Sequence, residues 1–175
     1  MRRVVFAMCV ALMCACAPQS TPVDSAGSPV VSGQPSLATS DLPTAELGEW
    51  NGTKVISTHD ITMPRVINFW ASWCQACTEE FPLLANKEFA GQVVAINVKD
   101  ISQSNSGLTI ATNLVNQTDN AFPIYIDKND SLLTSLGVSG LPLTIAVNAQ
   151  HHIVDVEFGQ LTHESLVRLI TASES

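Results

Sequence analysis

The chain has 175 residues, 46% of them hydrophobic and only 14% charged, with a formal net charge of −8 at pH 7. Of its eight Lys and Arg, Arg2 and Arg3 stand at the very start, so no basic stripe remains to hold nucleic acid and that class is excluded. The acidity is otherwise a statement about solubility, and the chain beyond its N-terminal segments suffices for one globular domain, not two.

Arg2 and Arg3 supply a positive leader, and Val4 to Ala15 form an apolar stretch too short to span a membrane as an ordinary helix. This is the pattern of an export signal. Cleavage after Ala17 satisfies the small-x-small rule but leaves Pro18 as the first mature residue. Met13-Cys14-Ala15-Cys16 resembles a bacterial lipobox, and the favoured expectation is a signal over residues 1–16 with Cys16 lipidated. Residues 17–41 follow as a linker of Pro, Ser, Thr, Gly and Ala, with Pro18, Pro22, Pro29 and Pro35 along it. Such a stretch offers no periodic apolar face. As a coil it holds the domain about 25–30 Å from its anchor.

Residues 42–175 are expected to form the domain. Leu42 to Leu47 and Thr53 to Ser57 read as short strands flanking the turn dipeptide Asn51-Gly52. Arg65-Val66-Ile67-Asn68-Phe69-Trp70 has the β-branched and aromatic content of a buried central strand. From Cys74 onward, Cys77, Phe81 and Leu84 recur at helical spacing, with a kink or restart near Pro82. Val93 to Val98 is a second buried strand. Ser106 to Val115 reads as a helix with Leu108, Ala111, Leu114 and Val115 on one face. Pro123 to Ile126 is extended, and Ser131 to Leu136 is a short helix ended by Gly137. Leu143 to Val147 and Ile153 to Phe158 are the last strands, joined by a turn around Ala149 to His152. Thr162 caps a final helix carrying Leu166, Leu169 and Ile170. Strands alternating with helices, closed by a hairpin and a helix, predict an α/β fold with a central mixed sheet flanked by helices.

Five cysteines are present, and Cys9, Cys14 and Cys16 belong to the leader. The remaining pair, Cys74 and Cys77, lies where a strand hands over to a helix. The thiolate is the reactive form of cysteine, and the positive end of a helix dipole with its unpaired N–H groups stabilises it. A Cys-x-x-Cys loop is too small for a scaffold disulfide. A zinc site needs a second ligand pair, which no other Cys-x-x-Cys supplies, and His59, His151, His152 and His163 lie in turn or helix-start contexts. The pair is therefore read as a redox couple with no metal and no cofactor.

Asn68-Phe69-Trp70-Ala71-Ser72-Trp73-Cys74-x-x-Cys77 followed by Glu80-Phe81-Pro82 resembles the active-site stretch of TlpA/ResA-type thioredoxin-like proteins. Asn97-Val98-Lys99-Asp100, Phe122-Pro123, Leu136-Gly137-Val138-Ser139-Gly140-Leu141-Pro142 and Gly159 to Leu166 continue the likeness in order over about residues 42–171. The resemblance implies a thioredoxin-like fold with an N-terminal β-hairpin extension. It implies that Cys74 is the exposed nucleophile and Cys77 the buried resolving thiol. Pro142 aligns with the family's cis-proline, leaving the backbone of Leu141 free to pair with an extended substrate. Trp73 is expected to pack beside the cysteines and shape the contact surface.

Thioredoxin itself carries a buried carboxylate where Asn68 stands, so the proton acceptor must come from elsewhere. Glu80 is the candidate, since the family carries a functional acid there and burial would raise its pKa. The alternative is that Glu79 and Glu80 are both solvated early-helix acids. The expected activity is thiol-disulfide exchange outside the cytoplasm by a lipid-anchored monomer. Its expected partners are exported protein thiols or disulfides, apocytochrome c among them, and a membrane thiol-disulfide electron donor or acceptor. An oxidant of secreted thiols is the runner-up, and a Cu(I)-binding module is the alternative of another class.

Overall fold

The computed structural model describes residues 37–175 apart from 51, 64, 99 and 101–104. The expected signal, the lipobox with Cys16 and most of the linker lie outside the described residues. So do Asn51 of the turn dipeptide and Lys99. The elements run β1 (Glu46–Glu49), β2 (Val55–Ser57), β3 (Arg65–Trp70), α1 (Gln75–Leu84), β4 (Val93–Val98), α2 (Asn105–Asn116), β5 (Ile124–Asp127), α3 (Ser131–Ser135), β6 (Leu143–Val147), β7 (Ile153–Phe158) and α4 (His163–Ser173). Among the described residues the strands make one seven-stranded sheet in the order β2-β1-β5-β4-β3-β6-β7. β3, β4 and β5 are parallel, while β1 is antiparallel to β2 and β5, and β6 is antiparallel to β3 and β7. The expected α/β fold with a mixed sheet and an N-terminal hairpin is the one observed.

The central strands are near-continuous apolar runs because both of their faces are covered. Period-two alternation sorts them into two cores. Val66, Trp70, Val93, Ala95 and Ala146 meet Phe81 and Leu84 of α1 and Leu166 and Leu169 of α4. On the other face Ile67, Phe69, Ile96, Leu143 and Ile145 meet Leu132 and Leu133 of α3, together with Leu37 and Leu42. Trp70 is fully buried, edge-on to Phe81 with ring centroids 4.7 Å apart, and Trp50 leans over it at 5.8 Å. Asn68 shares the α1/α4 face with Val66 and Trp70, and that placement governs the chemistry below.

Several elements differ from their sequence expectation. The first strand begins at Glu46, not Leu42, because Pro43 has no N–H for a ladder. Leu42 instead donates its N–H to His151 O at 2.8 Å, and Ala45 donates to Thr58 Oγ1 at 3.2 Å. The second strand shortens to Val55–Ser57. α1 is one continuous helix with Pro82 in its last turn, and it ends two residues later instead of restarting.

On α2 only a narrow face packs: Ala111 and Val115 are buried, but Leu108 is 39% exposed. Residues 37–41, expected to end the linker, pack onto the domain. Leu37 joins the core, Thr39 N–H bonds Ile153 O at 2.7 Å, and Ile153 N–H bonds Ser40 O at 2.8 Å. β7 is the last strand of the sheet, and this segment covers the start of its open edge.

The last helix starts as expected. Thr162 Oγ1 accepts from Ser165 N at 3.1 Å, and Ser165 Oγ accepts from Thr162 N at 2.9 Å, closing a capping box. Thr162→Ala is expected to lower the unfolding free energy by about 1 kcal/mol in a urea titration.

Candidate active site

The site lies at the carboxyl end of β3, where the chain leaves the sheet for α1. The turn between them closes with a hydrogen bond from Cys74 N to Ala71 O at 3.1 Å. Asp100, fully buried just past β4, pins this turn from the side. Its Oδ2 accepts from Ser72 N at 2.8 Å and Asn97 Nδ2 at 2.6 Å, and its Oδ1 accepts from Ser72 Oγ at 2.8 Å. A buried carboxylate is tolerated here because three donors surround it. Asp100→Ala would leave the Ser72 N–H and the Asn97 amide without these bonds. The expected loss is about 2 kcal/mol of stability in urea unfolding. Slower alkylation of Cys74 in the reduced protein should accompany it.

Cys74 is the N-cap of α1, and its Sγ accepts from Cys77 N at 3.2 Å, a donor left free by the helix start. Cys74 and Cys77 are joined in a disulfide with their Cα atoms 5.2 Å apart. Cys77 is fully buried, while Cys74 keeps 8% of its surface. In the oxidised form the residue expected to be exposed is thus itself nearly buried. Trp73 beside it is 52% exposed.

The Leu141–Pro142 peptide bond is cis. Leu141 is partly buried and packs against both apolar clusters, one of which holds the two cysteines. Neither backbone group of Leu141 takes part in a backbone hydrogen bond among the described residues. Pro142 O accepts from Gly159 N at 3.0 Å. Gly159 has φ +92°, a conformation costly for any residue with a Cβ, and this turns β7 toward α4 beside the proline.

Glu79 is exposed, whereas Glu80 is only 2% exposed. Glu80 Oε1 accepts from Asn68 Nδ2 at 2.8 Å and Oε2 from Leu161 N at 2.9 Å. Burial pushes its pKa up from 4.5 to about 7, against the opposing pull of the Leu161 N–H and the Asn68 amide. Asn68 Nδ2 also bonds Thr144 Oγ1 at 3.0 Å. Asn68 and Thr144 are register partners on β3 and β6, and so they share a face of the sheet.

Cys74, Cys77 and Glu80 are thus gathered at the start of one helix, with Trp73 and the Leu141-Pro142 loop at its rim. Ser72, Thr144 and the Leu161 N–H were not foreseen from the sequence. A lone hydroxyl in the apolar run of β6 was a usable signal for Thr144. The Leu161 donor is main chain and left none.

A model of the redoxin family matches residues 26–170. Thiol-disulfide oxidoreductase ResA of Bacillus subtilis (strain 168) is 33% identical over 142 residues, covering 79% of this chain and 76% of that protein. ResA of Bacillus thuringiensis (strain Al Hakam) is 28% identical over 105 residues, which span 57% of each chain. Among solved structures, a thio-disulfide isomerase from Thermus thermophilus superposes with a TM-score of 0.62 at 21% identity, over 79% of this chain and 97% of that one.

Proposed function

The chain belongs to the redoxin family, among its TlpA/ResA-type thiol-disulfide oxidoreductases, and we propose that it reduces disulfides of exported proteins, apocytochrome c among them, outside the cytoplasm. In this reading Cys16 carries a lipid anchor. Among the described residues no helix is long and apolar enough to cross a membrane, and the anchoring rests on the Met13–Cys16 stretch alone. Replacing Cys16 by Ser should release the protein from the membrane fraction; unchanged partitioning would remove the anchor.

The observation that carries the exchange reading is Glu80, a buried carboxyl with a pKa of about 7 one helical turn beyond Cys77. The Cys74 thiolate attacks a partner disulfide, forming a mixed disulfide and releasing one partner thiolate. Cys77 passes its proton to Glu80 and attacks Cys74 Sγ, closing the internal disulfide and releasing the second partner thiolate. Two electrons pass to the partner, and a membrane dithiol restores them. A group that titrates near neutrality can take the Cys77 proton and return it in the next cycle. An extended partner segment pairs with the Leu141 backbone, and Trp73 offers it an aromatic wall.

The reduction potential of the Cys74–Cys77 couple tests the direction. A value near or below about −250 mV supports the reductant. A value of about −120 to −180 mV makes the protein an oxidant of secreted thiols. The lack of any reversible couple, with stoichiometric Cu(I) binding, would replace exchange by metal binding.

A further inference from the structure

Asn68 presents a hydrogen-bonding pattern that suits only one protonation state of Glu80. Its Nδ2 donates to both Glu80 Oε1 and Thr144 Oγ1, while its Oδ1 is buried with no partner among the described residues. All the donors around Glu80 therefore point at an ionised carboxylate. Each carboxyl oxygen accepts one N–H, but the Leu161 donor is main chain and fixed while the Asn68 amide can turn, so a proton is accommodated on Oε1. There it would face the Asn68 NH2 group, donor against donor.

We infer that the Asn68 side-chain amide turns over with each protonation of Glu80, donating to the carboxylate in one state and accepting the carboxyl O–H in the other. Half a turn about the Cβ–Cγ axis direction of the amide exchanges Oδ1 and Nδ2. Oδ1 then accepts from Glu80 Oε1–H and from the Thr144 hydroxyl. Among the described residues Thr144 Oγ1 is engaged only as an acceptor from Asn68, so its own hydrogen is free to turn inward. Each state leaves one atom of the amide unpaired, Oδ1 in one and Nδ2 in the other, so the orphan is exchanged without adding a second. A proton moves and no electron does.

This inference rests on Glu80 being the proton acceptor of the proposed exchange, and it makes Asn68 a positioning residue. A carboxylate at position 68 would repel the ionised form of Glu80. An apolar residue would leave Glu80 Oε1 without its partner in both states. Asparagine serves both by rotating, because its amide carries a donor and an acceptor about one axis. The other charged groups on the packed elements stay out of the cluster: Arg65 stands at the far end of β3, and Glu164 on α4 is exposed. Glu79 on α1 is exposed and bonded to Gln75. Asp155 and Glu157 on β7 are paired with Arg168 on α4, and His163 at the start of α4 is paired with Glu88. β6 carries no charged residue.

The test is NMR of the full chain in its disulfide form, in which the two cysteines do not titrate. The Glu80 carboxyl carbon, the Asn68 side-chain nitrogen and the scalar coupling across their hydrogen bond are followed from about pH 5 to about pH 9. The expected result is a coupling present above the Glu80 midpoint and lost below it. The Asn68 nitrogen should move with the same midpoint and should stop moving in Glu80→Gln. A coupling that persists below the midpoint while Glu80 titrates overturns the rotation and leaves the acid–base role standing. A Glu80 carbon that does not titrate in this range while exchange continues overturns that role, and the inference with it.

Discussion

Cys74→Ser is expected to abolish disulfide exchange, whereas Cys77→Ser should still attack and accumulate as a mixed disulfide. The asymmetry follows from the local geometry. Cys74 is the cysteine with residual exposure, it stands at the N-cap of α1, and its Sγ receives the Cys77 N–H. A helix N-terminus lowers a thiol's pKa, and only the thiolate attacks. Cys77 has no exposure at all, so its target is the sulfur next to it. Intramolecular attack enjoys an effective molarity of about 10⁵ M or more, and its loss should slow release of the partner about 10³-fold. Turnover of a model disulfide, with mass spectrometry of the trapped adduct, reads both variants. Comparable alkylation rates of the two thiols near neutral pH would sink the assignment.

Glu80→Gln is expected to flatten the pH dependence of both stability and exchange. The folded pKa of about 7 stands above the ordinary 4.5, so the folded state binds the proton more tightly than the unfolded chain. The resulting stabilisation is fully present below 4.5 and is lost as the pH rises through about 7. Across that window the wild type should lose about 3 kcal/mol relative to Glu80→Gln, measured by urea unfolding at a series of pH values. Exchange in the wild type should show an inflection near neutrality that the variant lacks. Parallel profiles in the two proteins would return Glu80 to the reading of an early-helix acid without a role in proton transfer.

Much of the fold was legible because its signals are local. The buried strands Val66–Trp70, Val93–Val98 and Leu143–Val147 announce themselves as apolar β-branched runs, and Thr162 announces the last helix by its hydroxyl. The elements that misled did so through contacts that local pattern does not carry. Leu108 fits the apolar period of α2, yet the neighbouring elements cover only the Ala111 and Val115 side. Leu37 to Asp41 have the composition of a linker, yet the open edge of β7 gives their backbone a partner. Pro43 was visible in the sequence, and its missing N–H was the clue that the first strand starts later.

The pairing of the two thiols was written in the sequence, because the i, i+3 spacing of Cys74 and Cys77 at a strand-to-helix junction places both sulfurs within one helical turn whatever surrounds them. The sequence also placed Glu80 one further turn along the same helix. Whether that carboxyl is solvated or buried was decided only by the tertiary structure. Its two partners, the Asn68 amide and the Leu161 N–H, lie 12 and 81 residues away in the chain, and Thr144 lies 76 residues from Asn68. Those meetings depend on the register of β3 against β6 and on how α4 closes over α1, and burial by these distant elements is what moves the carboxyl into the range of neutral-pH proton transfer.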